Sequence, residues 1–226
     1  AGEGLQEGKH YSREAANEDL SRPDFVFHFK DGFEEKDLIV DSKVSLTAFV
    51  DYMNATDDAS KSDALDRHVK SVRKHIDELA KISVTQGPGC CRQTYTKEFA
   101  EARDYIVKVM KEIGLSVRED AVGNIFGRME GKNPEAPVIM TGSHFDTVRT
   151  GGRFDGLAGV VAALEVARVM KEEGFVPNCP IEFVATAEEE GTRFSGGLFG
   201  SRAMCGQLYE NELESSLDMD GISMAQ

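Results

Sequence analysis

The sequence predicts an α/β fold built on a mixed, largely parallel sheet flanked by helices. Two short apolar runs, residues 138–141 and 180–186, are separated by one long apolar-faced stretch, residues 156–174. Strand, helix and strand in that order make a parallel unit with a right-handed crossover helix. Two stretches further upstream space their apolar side chains three and four residues apart, as a helix with one buried face does.

Taken in order, the first 64 residues carry little pattern. Phe25, Phe27 and Phe29 alternate with Val26 and His28, which is strand period, and Asp31-Gly32 turns the chain after them. Ser45 is placed to cap a short helix reaching Asn54, with Leu46, Phe49, Val50 and Met53 on one face. Residues 54–63 are polar and read as a linker. Leu65, Val69, Val72, Ile76 and Leu79 then form an amphipathic stripe, with His68 and His75 beside it as solvated histidines.

Gly87-Pro88-Gly89 breaks the chain. Thr96 caps the next helix, Glu98 suits its first turn, and Gly114 ends it. Phe99, Ala102, Ile106, Val109, Met110 and Ile113 form its buried face. Residues 115–120 and 124–129 read as two strands around Ala121-Val122-Gly123, and Asn133-Pro134 turns the chain into a buried strand at 138–141. Val160, Val161, Leu164, Val166, Ala167, Val169 and Met170 give the helix at 156–174 a wide apolar surface, and Gly174 closes it. Residues 180–186 make a second buried strand, and 197–205 start another helix.

The chain has 226 residues, 40% hydrophobic and 29% charged, the make-up of a globular protein with a sizeable core. Its net charge of −14 argues against nucleic acid and anionic membranes as partners, since both call for basic patches. Residues 1–66 carry 16 acidic and 7 basic side chains, so the excess is mainly N-terminal. No run approaches the roughly 20 apolar residues of a membrane span. Ala1-Gly2-Glu3-Gly4 lacks the basic and apolar regions of a signal peptide. Cys90, Cys91, Cys179 and Cys205 show no zinc-finger or CxxC spacing, and the adjacent pair reads as packed, reduced thiols. A cytoplasmic setting is expected.

The chemistry concentrates in three motifs. Gly142-Ser143-His144-Phe145-Asp146-Thr147-Val148 follows the first apolar strand. Gly151-Gly152-Arg153-Phe154-Asp155-Gly156 leads into the crossover helix, and Glu188-Glu189-Glu190-Gly191-Thr192-Arg193-Phe194 follows the second strand. In a parallel sheet these positions meet at one edge, where ligands bind. Asp146, Asp155 and three glutamates there would repel one another without cations, and imidazole with carboxylates suits zinc or manganese.

These residues resemble the hydantoinase/carbamoylase family of binuclear metal amidohydrolases. It includes N-carbamoyl-L-amino-acid hydrolases and allantoate amidohydrolases, within a larger group of zinc-dependent aminoacylases and peptidases. Val122-Gly123-Asn124-Ile125-Phe126-Gly127-Arg128 and Gly200-Ser201-Arg202 also fit. The likeness covers residues 65–226, as the N-terminal part of a catalytic domain, and leaves residues 1–64 as an unmatched acidic extension. It implies two divalent ions, zinc foremost, with manganese or cobalt as alternatives. His144 would bind one ion, Glu190 the other, and Asp155 would bridge them. Glu189 would act as general base and acid, and Asp146 would orient His144. The bond between Asp155 and Gly156 can be cis in such proteins. Arg193 belongs to the motif without an assigned role. The implied reaction is hydrolysis of a small ureido substrate by metal-activated water, releasing ammonia and carbon dioxide. A homodimer is implied for the full-length protein.

The resemblance also implies two further histidine ligands and a substrate-gripping lid that these 226 residues do not supply. The expectation is weak metal binding and no activity from this stretch alone. A related metallopeptidase or aminoacylase, and an inactive truncated relic, are the competing readings.

Overall fold

The computed structural model describes residues 11–13, 25–31, 34–40, 58–85, 89–194 and 196–226. Three N-terminal strands, β1 (Tyr11–Arg13), β2 (Phe25–Asp31) and β3 (Glu34–Val40), pair antiparallel in the order β1-β2-β3. The alternating phenylalanines thus form a strand, and Asp31 pairs with Glu34 across the expected turn. The helix expected at 45–54 lies outside the described residues.

Helix α1 (Asp58–Lys81) begins inside the stretch read as a linker. Residues 58–63 are therefore helical: a polar first turn beginning with Asp suits a helix N-terminus. Ile76 and Leu79 of the expected stripe are buried and Val72 is partly buried, but Val69 is exposed. His75 is half-buried rather than solvated, because its Nδ1 lies 2.9 Å from the Tyr105 hydroxyl.

Helix α2 (Lys97–Ile113) starts where Thr96 accepts a hydrogen bond from the Phe99 N–H at 3.3 Å, and ends at Gly114, whose φ of 85° is left-handed. Strands β4 (Ser116–Glu119) and β5 (Ile125–Met129) form an antiparallel hairpin. Strand β6 (Ile139–His144), helix α3 (Leu157–Glu172) and strand β7 (Ile181–Thr186) are the expected parallel unit. Helices α4 (Phe199–Met204) and α5 (Glu212–Ser215) follow.

The second sheet is mixed, in the order β4-β5-β7-β6; its parallel part is the β6–β7 pair, while β5 runs antiparallel to β7. All six residues of β7 are buried. The run at 138–141, expected to be buried, is not: Val138 and Ile139 are 40% and 39% exposed. An apolar run does not by itself distinguish a central strand from an outer one, and among the described residues β6 pairs with β7 alone in this sheet.

Helix α3 packs on β6 and β7, α2 on β4 and β5, and α1 on α3. The core reaches the functional edge through Phe145, which is fully buried and stacks on Phe99 of α2 with ring centroids 4.4 Å apart. Burial of one such ring is worth about 2–3 kcal/mol, which ties the residue between His144 and Asp146 to the core. Cys90 and Cys91 are buried free thiols, as expected.

Candidate metal centre

The parallel register brings the first and third motifs together. His144, the last residue of β6, pairs with Thr186, the last of β7. Beyond Thr186 the chain turns through the three glutamates, and Asp155 sits at the start of α3 on the same side. His144 Nε2 lies 3.7 Å from Asp155 Oδ1 and 3.7 Å from Glu190 Oε1. One donor atom from each of the three lies within 4.8 Å of the others. Asp155, Glu190 and His144 are thus brought together as the sequence predicts.

The other face of the imidazole is held. His144 Nδ1 is 3.1 Å from the main-chain oxygen of Asp146, while the Asp146 carboxylate is 3.7 Å away. The hydrogen bond expected from the carboxylate therefore goes to the backbone of the same residue. A carbonyl can only accept, so Nδ1 carries a proton; in the neutral ring this turns the Nε2 lone pair toward Asp155 and Glu190.

The buried Asp146 carboxylate accepts the Glu189 N–H at 3.2 Å on one oxygen and the Glu190 N–H at 3.1 Å on the other. It fastens the glutamate turn to the histidine turn. The three glutamates then part company. Glu188 points inward, 1% exposed, with φ at 51°, and accepts the Phe194 N–H at 3.2 Å. Glu189 receives the Ser201 N–H at 3.1 Å and the Ser201 hydroxyl on the same oxygen. Glu190 turns toward His144.

The charges are strained toward protonation. Burial would lower the His144 pKa, but the Asp146 carboxylate, with Glu190 behind it, outweighs burial and raises it to about 9. Burial, then the charges of Asp155 and Asp146, push Glu190 up, against the pull of His144. Glu188 is also raised, chiefly by burial. A cation in the gap would relieve this repulsion and favour the ionised carboxylates and neutral imidazole.

Gly156 makes the geometry possible. Its φ is 65°, and a Cβ there would lie 2.4 Å from the His144 oxygen and 2.6 Å from ring atoms Cε1 and Nδ1. Asp155–Gly156 is a trans peptide, not cis.

Asn124, Arg153 and Arg193 lie in the quoted motifs, but the sequence assigned them no role. Asn124 accepts the Ala187 N–H at 2.9 Å and donates to the Gly200 oxygen at 3.0 Å, joining β5 to both sides of the glutamate turn. Arg193 binds Asp218 through two nitrogens and the Thr94 oxygen at 2.9 Å through the third. It thereby pins its loop to the C-terminal segment. Arg153 pairs with Asp77 of α1.

Residues 124–226 match the model of Peptidase family M28, and residues 2–88 match that of the RmuC family. The chain is 56% identical over 155 residues to an N-carbamoyl-L-amino-acid amidohydrolase of Paenarthrobacter aurescens, covering 69% of this chain and 37% of that protein. It is 38% identical over 154 residues to an allantoate amidohydrolase of Bacillus subtilis, covering 68% of this chain and 37% of that protein. A crystal structure of a hydantoinase/carbamoylase family amidase from Burkholderia ambifaria superposes with a TM-score of 0.65 at 35% identity, over 68% of this chain and 38% of that one. The chain thus spans little more than a third of the length of the relatives it matches. By this sequence identity and shared fold, the chain belongs to the hydantoinase/carbamoylase family of amidohydrolases.

Proposed function

We propose that this chain carries part of the active centre of a metal-dependent hydrolase of linear ureido or amide C–N bonds. Its substrates would be small molecules of the N-carbamoyl-L-amino acid or allantoate type, cleaved with release of ammonia and carbon dioxide. The observation that carries the reading is the convergence of His144, Asp155 and Glu190 beside the tethered Glu189.

The donors fit a divalent ion. Ligands bound at 2.0–2.2 Å in tetrahedral geometry stand roughly 3.4 Å apart, close to the 3.7 Å separations here. Zinc is the first expectation, with manganese or cobalt as alternatives. The full arrangement we propose is a pair of divalent ions, which His144, Asp155 and Glu190 would hold. Divalent ions in this position supply polarisation of the scissile carbonyl and acidification of water.

The chain's own groups supply the rest. Glu189, with Oε1 fixed by Ser201, takes a proton from the attacking water and returns it to the leaving nitrogen. Asp146 sets the spacing between Glu189, Glu190 and His144 through the bonds described above. Residues 65–226 are the proposed N-terminal part of the catalytic domain, with 1–64 a separate acidic extension. The full-length protein is a proposed cytoplasmic homodimer; among the described residues no helix is long and apolar enough to cross a membrane.

The match to Peptidase family M28 over residues 124–226 favours a second reading, cleavage of an ordinary amide or peptide bond. Assay of the full-length gene product on N-carbamoyl amino acids, allantoate and peptides, metal-free and with zinc, manganese or cobalt, separates the two. Metal-dependent ammonia release that disappears in Glu189→Gln supports the ureido reading. Peptide cleavage alone supports the second, and no turnover with intact metal binding supports a relic.

A further inference from the structure

Behind His144, two segments far apart in sequence are laced together. Cys90 and Gly151 exchange main-chain hydrogen bonds, both 2.9 Å. The Arg92 N–H donates to Thr147 Oγ1 at 2.8 Å, the Thr147 N–H donates back to the Arg92 oxygen at 3.1 Å, and Thr147 Oγ1 donates to the Cys90 oxygen at 3.2 Å.

The Arg92 side chain completes the lacing. It is fully buried. Its Nε donates to the Phe145 oxygen at 2.7 Å, and its Nη1 donates to the Leu79 and Ile82 oxygens at 3.0 and 3.1 Å. Leu79 is in the last turn of α1, its oxygen also accepting the Ile82 N–H at 3.2 Å, and Ile82 follows the helix end, where a cation is favoured. Phe145 lies between His144 and Asp146. One rigid guanidinium therefore ties the end of α1 to the peptide that separates the metal ligand from its brace.

Packing alone accounts poorly for this arginine. A buried guanidinium gives up much of its hydration, and an apolar side chain would often fill such a space at no loss of stability. Its Nη2 has no hydrogen-bond partner among the described residues. Burial lowers its pKa, against opposing contributions from Cys90, Asp146 and Cys91. The charge is retained beside the Asp146 carboxylate at a cost, and its bonds converge on one turn.

We propose that Arg92 is a positioning residue for the metal centre, holding the Phe145 carbonyl so that the His144 ring and the Asp146 carboxylate keep their mutual geometry. Arg92 touches no reacting atom. What the turn is positioned for rests on the metal reading above; the fastening does not.

The test uses the 226-residue chain, its Arg92→Lys and Arg92→Met variants, and His144→Ala as the reference for a lost ligand. Each is studied well below its own unfolding temperature. Lysine keeps the charge but cannot span three carbonyls with a planar fork. Two readouts are taken: amide hydrogen exchange across the chain without metal, and cobalt(II) binding followed by its visible absorption.

The expected result for Arg92→Lys is exchange in residues 144–151 faster by about tenfold or more, with α2 and β7 retaining their protection. Cobalt affinity falls by about tenfold or more and the absorption band changes, as for loss of a ligand's support. Uniformly faster exchange with wild-type cobalt affinity in the folded protein would overturn the proposal, leaving Arg92 a packing residue; so would no change in either readout. Arg92→Lys decides the matter if Arg92→Met fails to fold. If wild type and His144→Ala bind cobalt alike, the metal reading fails, while the exchange pattern still decides the role of Arg92.

Discussion

Ser201 presents two donors to a single oxygen of Glu189, its main-chain N–H at 3.1 Å and its hydroxyl. The contact spans from the glutamate turn to helix α4, so it fixes a side chain that the sequence placed only by motif. A carboxylate held at one oxygen has lost most of its rotational freedom before any substrate arrives. That is the useful state for a group proposed to move a proton along one line.

Ser201→Ala removes the hydroxyl donor and keeps the N–H. In the full-length enzyme kcat is expected to fall about tenfold with KM nearly unchanged, the loss of one charge-assisted hydrogen bond. Glu189→Gln should cost far more, on the order of 10²–10⁴. Steady-state kinetics on whichever ureido substrate is turned over checks both; a Ser201→Ala enzyme with wild-type kcat would show that the hydroxyl does not prepare Glu189.

Gly156→Ala tests the close approach of α3 to His144. The added carbon would meet the His144 oxygen and ring, at a φ that side chains avoid. The chain should lose at least about 2 kcal/mol of stability and most of its metal affinity. Urea unfolding and metal titration read the two effects. Wild-type values for both would mean that the loop before α3 relaxes freely.

The convergence of His144, Asp155 and the glutamate run was legible in the sequence because a parallel register forces strand ends and helix starts to one edge, whatever the loops do; the choice of Glu190 among the three glutamates came from the family resemblance. The fate of the neighbouring carboxylates was not. Glu188, Glu189 and Glu190 are identical in type and adjacent, yet one is buried, one is tied to Ser201 and one faces His144. Their separation depends on the left-handed Glu188 and on Asp146 accepting two main-chain N–H groups, neither of which has a residue-type signature. Arg92 was invisible for the same reason, since its side chain binds carbonyl oxygens, which every residue carries. The helix at 97–113 announced itself through Thr96 and Gly114, whereas α1 began earlier than its apolar stripe because the polar sequence of residues 58–63 offers no stripe to mark a helix.

Metal stoichiometry follows from the donor count. The three donors that converge among the described residues can hold one ion with positions left for water, but they are too few for two ions held tightly. Isothermal titration of the 226-residue chain with zinc is expected to show weak binding, lost in His144→Ala and in Asp155→Asn, with no ureido hydrolysis. Tight binding of two ions by this chain would sink the expectation.

The response to pH has a sign that reverses with metal. In the metal-free chain the His144 pKa, about 9, stands above the ordinary 6.5 of an unfolded chain. The group therefore contributes its full stabilisation below about pH 6.5 and loses it as pH rises through 9. The raised Glu190 acts in the same direction, its contribution lost as pH climbs through its own elevated value. Thermal midpoints in chelator should thus fall between pH 6.5 and 9.5, the stability lost being on the order of 2–3 kcal/mol, and His144→Asn should flatten that slope. With zinc present the ion needs the imidazole unprotonated, so affinity should rise over the same interval. Paired melting curves, with chelator and with zinc, test this directly: parallel slopes would mean that His144 is not where the metal binds.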